Sequence, residues 1–156
     1  MTAEVTIRPM CIEEVDGVAE LVSRVFRAAV APHYRKRGID EFCAYANAKA
    51  LQQRQRSDHF VLVAIRNEAL VAMIEIRENR HVSLFFVEPA VQGQGIGRRL
   101  LNEAIIRCRE TNPTLEKITV NASPNSVDAY SRHGFGATGP SQTKNGMTFT
   151  PMALTL

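Results

Sequence analysis

Seven consecutive residues, Gln92 to Arg98, have the composition of a phosphate-binding turn, and we call them the glycine loop. Glycines occupy alternate positions, Gly93, Gly95 and Gly97, between an apolar run and a segment with helical spacing. The first turn of a helix leaves backbone N–H groups without partners, and the helix macrodipole makes that end positive. Glycine lets these donors converge and places no Cβ in the path of an anion. We therefore expect the glycine loop to bind a diphosphate.

A glycine-rich turn also fits a purely structural role, as a tight turn with close packing of helix on strand. Two other phosphate motifs do not fit. A P-loop ends in Gly-Lys-Ser/Thr, whereas this loop ends in Gly97-Arg98-Arg99. A dinucleotide fingerprint has the spacing G-x-G-x-x-G early in a βαβ unit, with an acidic residue about twenty positions later. Here the spacing is G-x-G-x-G, and the next predicted strand has Asn121 near its end.

The spacing of apolar residues predicts the elements that position the glycine loop. Predicted strands are Glu4–Arg8, Phe60–Ile65, Leu70–Glu78, His81–Val87, Lys117–Ala122, Phe135–Thr138 and Met147–Leu156. Predicted helices are Ile12–Phe26, Ile39–Gln55, one that follows the glycine loop and stops at Pro113, and one that Ser123-Pro124 opens and Gly134 closes. Ala31–Gly38 reads as a surface loop. This order predicts an α+β (mixed α/β) fold with a mixed sheet of about seven strands, helices on both faces, and one domain over residues 1–156.

Three motifs in this order resemble the GNAT superfamily of N-acetyltransferases. Gln92-Gly93-Gln94-Gly95-Ile96-Gly97 is similar to the family signature Q/R-x-x-G-x-G/A. The preceding Leu84-Phe85-Phe86-Val87-x-Pro and the later Tyr130-x-x-x-Gly134-Phe135 also match at family spacing. Together with the element order, the resemblance covers nearly the whole chain. It implies an acyl-CoA N-acyltransferase fold, an enzyme, and acetyl-CoA as co-substrate.

The resemblance also assigns residues to the coenzyme. The backbone of Phe85, Phe86 and Val87 would pair with the pantetheine arm like an added strand, beside a bulge that splays the sheet. The pyrophosphate would lie on Gln92, Gly93, Gln94, Gly95, Ile96, Gly97 and Arg98. The family often has Asn seven residues before the Tyr, where this chain has Ser123. Asn125, two positions later, is the candidate for that contact.

Tyr130 is the first of three candidate catalytic residues, and the resemblance places it near the thioester sulfur. A phenol with a pKa near 10 can protonate a departing thiolate, whose thiol pKa is about 8.5. His81 begins the strand before the glycine loop, where some family members carry a catalytic carboxylate, and it is a candidate base. Alternation along that strand predicts that it shares a face with Ser83 and Phe85. Packing of Tyr130 against the sheet and surface exposure of His81 are the structural alternatives.

Glu75 is the third candidate, because it is a lone acid at the centre of an apolar strand. Such a carboxylate is paired, faces a groove, or lies on the solvated side of the sheet. In a groove it would attract a cationic amine. His59 and His133 read as ordinary residues at element boundaries.

Composition limits the partners. The net charge of +3 is too small to indicate a nucleic-acid stripe, and no apolar run has membrane-spanning length. Cys11, Cys43 and Cys108 share no ligand spacing, so we expect no metal. We expect a cytoplasmic enzyme that acts on a small amine. Because members of the family often form dimers, the resemblance also allows a homodimer. The alternatives are a peptide or protein N-acetyltransferase and a non-catalytic acyl-CoA-binding sensor module.

Overall fold

A mixed sheet forms the centre of the computed structural model, which describes residues 4–156. Its eight strands within that range are β1 Val5–Pro9, β2 His59–Arg66, β3 Ala69–Arg77, β4 His81–Val87, β5 Lys117–Ala122, β6 Gly136–Ala137, β7 Gln142–Lys144 and β8 Met147–Thr155. The strand order is β1-β2-β3-β4-β5-β8-β6, with β7 beside β8. The pair β4–β5 is parallel, and the other pairs are antiparallel.

Helices cover both faces of the sheet, as the sequence predicts. They are α1 Val15–Ala29, α2 Lys36–Ala46, α3 Ala48–Arg54, α4 Ile96–Thr111 and α5 Val127–Arg132, with short 3-10 turns at Ile12–Glu14, Ala31–His33 and Pro89–Val91. Buried residues of α1, α2 and α3 form one core with the sheet. Those of α4 and α5 form a second core on the opposite face. The mixed α/β fold is confirmed.

Helix α4 shows how the sequence pattern becomes packing. Leu100, Leu101, Ala104 and Cys108 recur at intervals that place them on one helix face, and all four are buried. Burial raises the pKa of the Cys108 thiol to about 11, so it packs as a neutral core residue. Across residues 4–156, no helix combines the length and apolar character needed to cross a bilayer.

The region between α1 and β2 differs from the prediction. Ala31–Gly38 is not a loop, because a 3-10 turn precedes α2 and that helix already begins at Lys36. The single predicted helix Ile39–Gln55 is interrupted at Asn47. The Asn47 side chain accepts a hydrogen bond from Ala50 N at 2.9 Å and thereby caps α3. A capping residue inside a long polar helix pattern explains the break.

Two boundaries after β5 also differ from the prediction. Helix α5 begins at Val127 and not at Ser123-Pro124, because Ser126 N donates to Ser123 O at 2.9 Å and closes a turn first. The polar connection before β8 contains the short strand β7, which has no apolar residue to signal it. All three of its residues are exposed, so they follow no alternating pattern.

Candidate functional site

The sheet opens between β4 and β5. These strands pair at His81–Thr119 and Val82–Val120 and then separate, so the β4 edge from Ser83 to Val87 has no strand partner on that side within the described residues. A bulge in β4 accompanies the separation: Glu75 of β3 faces Leu84, the next residue faces Val82, and Ser83 is left over. Bulges bend a strand and increase its twist. We call the resulting wedge-shaped opening the cleft.

The bulge also changes which face each β4 side chain occupies. Val82 belongs to the core under α4, whereas Leu84, two residues later, belongs to the core under α1. Phe85 therefore packs on the α4 side. Ser83 lies on the other face, where its Oγ donates to Glu75 Oε1 at 2.8 Å. The prediction that His81 and Ser83 share a face with Phe85 is wrong, since one extra residue reverses the alternation.

The glycine loop lies at the open end of the cleft. Gly93 and Gly95 have φ values of +81° and +82°, and a Cβ at either position would meet no atom within 4 Å. The first amide bonded back across the α4 terminus is Arg99 N, which donates to Gly95 O at 3.1 Å. The preceding amides of α4, from Ile96 to Arg98, are therefore too early in the helix to have intrahelical acceptors. Together with the open space at Gly93 and Gly95, these donors fit an anion.

The side chains of the glycine loop hold it in place. Gln92 Nε2 donates to Val87 O at 3.0 Å, and Arg66 Nη1 donates to Gln94 Oε1 at 2.6 Å. Ile96 is buried in the core beneath the loop. A Cβ on Gly97 would lie 3.4 Å from a Val87 methyl group, so its absence lets α4 approach β4 closely. These contacts tie the loop to β2, to the end of β4 and to the core.

Tyr130 of α5 lies beside the open edge of β4. Its ring centroid is 6.1 Å from that of Phe85 and 5.3 Å from that of Phe135. Burial raises the pKa of Tyr130 well above its ordinary value, and desolvation is the sole cause of the shift. The phenol therefore keeps its proton at all physiological pH values. The structure brings Tyr130 and the β4 edge together, as the predicted roles require.

Asn125 follows β5 on the opposite side of the cleft. Its Oδ1 accepts a hydrogen bond from Ser123 Oγ at 2.8 Å, and the same hydroxyl lies 2.8 Å from Ser126 Oγ. Asn125 is exposed. Ser123 therefore holds the carbonyl oxygen of the Asn125 side chain.

His81 lies where β4 and β5 are still paired. Its Nδ1 is 2.8 Å from Thr119 Oγ1. Burial lowers the pKa of His81 to about 4, and the positive charges of Arg77 and Arg80 lower it further while Glu78 opposes them. The imidazole is therefore neutral at pH 7 and able to accept a proton, but as a weak base.

Glu75 is paired, the first of the three settings expected for it. Its side chain is 0% exposed. Arg54 Nη2 donates to one carboxylate oxygen at 3.0 Å and Arg54 Nε to the other at 3.2 Å, while Gln55 Nε2 donates at 3.0 Å. Ser83 completes the set across the bulge. We call these four residues the Glu75 cluster, which lies on the α3 side of the sheet.

Sequence reasoning missed the setting of His133. Its ring centroid is 6.0 Å from that of Phe85, and together with Arg132 it lines a cavity of about 360 Å³ between α4 and α5. Arg98 lines the same cavity from the α4 side. The signal was the pair of cationic residue types directly before Gly134, but only the tertiary structure shows that both face α4.

The sheet splits at its parallel strand pair, and a glycine-rich turn lies at the open end. The model of the acetyltransferase (GNAT) domain family matches residues 30–156. The chain therefore belongs to the GNAT acetyltransferase family.

Solved structures share the fold along the whole chain. A GCN5-related N-acetyltransferase from Rhodopseudomonas palustris is 18% identical, with a TM-score of 0.81 over 100% of this chain and 98% of that one. The PaiA N-acetyltransferase from Thermoplasma acidophilum, solved in complex with coenzyme A, is 19% identical, with a TM-score of 0.81 over 98% and 99%. A chimera of spermidine N-acetyltransferase SpeG from Vibrio cholerae and hSSAT is 18% identical, with a TM-score of 0.64 over 98% and 96%. No curated protein matches the chain in sequence.

Proposed function

We propose that this protein transfers the acetyl group of acetyl-CoA to the primary amine of a small molecule, by direct attack in a ternary complex. The observation that carries the proposal is the unpaired β4 edge next to the glycine loop. Membership of the GNAT family supports acyl transfer, and the PaiA structure with coenzyme A supports a coenzyme of this type. The acetyl group and the small amine are our own assignments.

The cleft offers two kinds of contact to the coenzyme. The amides of the glycine loop would donate to the diphosphate, with Arg98 adding a positive charge. The backbone edge of Phe85, Phe86 and Val87 would bind the amide groups of the pantetheine arm like an added strand. Asn125 would contact the coenzyme from the β5 side. When bound, acetyl-CoA supplies an activated acetyl thioester.

Tyr130 and the β4 edge would perform the two tasks nearest the thioester. A backbone N–H at the open edge would donate to the acetyl carbonyl oxygen, where negative charge develops during attack. Tyr130 would give its proton to the sulfur as the C–S bond breaks. Its raised pKa suits this role, because the phenol holds its proton until a thiolate forms beside it.

His81 would accept the proton that the attacking amine loses, directly or through water. It is neutral above pH 4 or so, which leaves it available throughout the physiological range. Glu75 stays a second candidate for the amine side. The Arg54 guanidinium already neutralises the charge of the Glu75 carboxylate. We therefore expect His81, and not Glu75, to be the main acceptor of the amine proton.

Thiol release from acetyl-CoA with a panel of acceptors tests the proposal. The panel contains small mono- and diamines, and a peptide with a free N-terminus and a lysine. We expect saturable, amine-dependent thiol release with at least one small amine. Release with the peptide alone would make the protein a peptide N-acetyltransferase. Tight acetyl-CoA binding in calorimetry without release for any acceptor would make it a sensor module, and either result would overturn the proposal.

A further inference from the structure

The open end of the cleft has β4 on one side and β8 on the other. Strand β5 ends at Ala122, which pairs with Thr150, and β8 extends beyond that pair to Met147. On the opposite side β4 continues to Val87. Because β4 and β5 are parallel, β4 and β8 both extend past the last β4–β5 pair at the same end of the sheet. These two strands are therefore the walls of the cleft at its open end.

Helix α2 contacts both walls, on the face of the sheet opposite α4. The ring centroid of Phe42 lies 6.0 Å from that of Phe86 in β4. Just before the helix, the Tyr34 hydroxyl donates to Thr148 O of β8 at 3.0 Å. Helix α2 thus spans the cleft. Tyr130 and helix α4, which follows the glycine loop, belong to the other face, so the proposed coenzyme position leaves the α2 side for the acceptor.

A pair of glycines brings α2 into backbone contact with the turn between β7 and β8. Asn145 and Gly146 form this two-residue turn, and both have positive φ, as the favoured hairpin turns require. A Cβ on Gly38 of α2 would overlap Gly146 O and lie 2.9 Å from Gly146 C. In return, a Cβ on Gly146 would lie 2.7 Å from Gly38 N. Only glycine at position 38 permits this approach.

The glycine contact makes the opening between α2 and β8 narrow. Glycine allows the closest approach of two backbones, because it has no Cβ between them. The rings of Tyr34, Phe42 and Phe86 pack in the same core beside this contact. An attacking amine has to bring its nitrogen to the thioester carbon. The groups on the carbon that carries the nitrogen must therefore fit within the opening.

We propose that Gly38 is a positioning residue for acceptor specificity, because it holds the opening at a width that admits primary amines on an unbranched carbon. This inference rests on the proposed acetyl transfer and names its substrate class. The α-amino group of a peptide lies on a branched carbon and would be excluded. Gly38→Ala should widen the opening, since the added methyl group has to push the turn away by on the order of 1 Å.

Steady-state rates of the full chain with two isomeric acceptors test the assignment. The probes are n-butylamine and sec-butylamine, which differ only in branching at the carbon that carries the nitrogen. We expect the wild type to favour n-butylamine by about 10- to 200-fold in kcat/KM, the effect of one methyl group in a tight pocket. Gly38→Ala should lower this preference on the order of 10-fold. Its affinity for coenzyme A, measured by calorimetry, should stay that of the wild type.

Two further variants separate the contact from general effects on the fold. Gly17→Ala is the matched control, because Gly17 is also a helical glycine and a Cβ there would meet no atom within 4 Å. Alanine is a better helix former than glycine, so only Gly38→Ala strains a contact, and Gly17→Ala should keep the wild-type preference. Tyr34→Phe keeps the ring but removes the bond to Thr148 O. It should lower the preference by about 2- to 10-fold.

Three results would overturn the role of Gly38 and leave the acetyltransferase proposal standing, provided that the wild type acetylates some small amine. The first is a wild type that uses both isomers equally well, or neither. The second is an unchanged preference in Gly38→Ala, or in Tyr34→Phe where Gly38→Ala does not fold. The third is an equal loss of kcat/KM for both isomers, which indicates support of the fold alone. A wild type that acetylates no small amine would overturn both proposals.

Discussion

The glycine loop and the Glu75 cluster are both next to strand β4, but they differ in whether their polar groups have hydrogen-bond partners. In the glycine loop, the first amides of α4 have no intrahelical acceptors, and Gly93 and Gly95 are exposed with open space where a Cβ would lie. In the Glu75 cluster, a fully buried carboxylate accepts hydrogen bonds from three side chains. Unpaired, exposed donors are available to a ligand, whereas a buried and saturated carboxylate supports structure. The two regions divide binding and support between the two faces of the sheet.

The Glu75 cluster holds the bulge that opens the cleft. Ser83, the extra residue of β4, bonds Glu75, and Arg54 of α3 fixes that carboxylate from the other side. The Arg54 guanidinium also lies 3.7 Å from the centroid of the Tyr45 ring. We infer that the cluster stabilises the geometry in which the β4 edge is free to bind a coenzyme.

The largest expected effect comes from filling the glycine loop. Gly95→Glu places a side chain at φ +82°, which L-residues rarely adopt, and adds a negative charge where the diphosphate would lie. Losing two or more amide contacts at about 1.5–3 kcal/mol each predicts a loss of affinity for coenzyme A on the order of 10³-fold or more. Calorimetry with coenzyme A measures this loss of affinity. Gly17→Glu, at an exposed helical glycine with open space around it, is the control, and normal affinity in Gly95→Glu would refute the loop assignment.

The Glu75 cluster should respond to substitution through stability. Glu75→Gln leaves the partly buried Arg54 guanidinium without its counter-charge, and we expect the free energy of unfolding to fall by about 3–5 kcal/mol. Denaturant unfolding measures this loss, with the exposed Glu103→Gln as a control that should change little. The coenzyme affinity of the folded variant should stay within a few-fold of wild type. A variant as stable as wild type but with a collapsed kcat would instead make Glu75 a catalytic carboxylate.

On the cleft side, Tyr130→Phe removes the proposed acid without changing the packing of the ring against Phe85 and Phe135. We expect kcat to fall by about 10²-fold or more while coenzyme affinity stays nearly intact. Steady-state rates and calorimetry on the same preparation separate the two quantities. An unchanged rate would remove Tyr130 from the mechanism.

The smallest effect is expected at His81. Its lowered pKa means that it becomes protonated, and loses its ability to accept a proton, only as pH falls through about 4. If His81 is the base, the acidic limb of the pH–rate profile lies near that pH, well below the ordinary value of about 6.5. His81→Ala should erase that limb and lower the rate on the order of 10-fold, because a base so far from the operating pH contributes little. Retention of the limb in the variant would clear His81 of the role.

The glycine loop and most of the sheet could be predicted from the sequence, because both depend on local patterns. Alternating glycines before a helical repeat, and short turns between apolar runs, need no distant partner to be recognised. The resemblance implied a bulge beside the coenzyme edge, but its position at Ser83 could not be predicted, since that side chain bonds a residue on the neighbouring strand. That one inserted residue reversed the expected face of Phe85. The partner of Glu75 could not be predicted either, because Arg54 lies 21 residues away in the sequence, on a helix.

The most direct test of the account is a crystal structure of the protein with acetyl-CoA bound. We predict that the diphosphate oxygens lie within hydrogen-bond distance of the backbone amides of the glycine loop, with the pantetheine arm along the β4 edge from Phe85 to Val87. The Tyr130 hydroxyl should face the sulfur. A complex in which the coenzyme occupies another surface, with the glycine loop bare, would contradict the account.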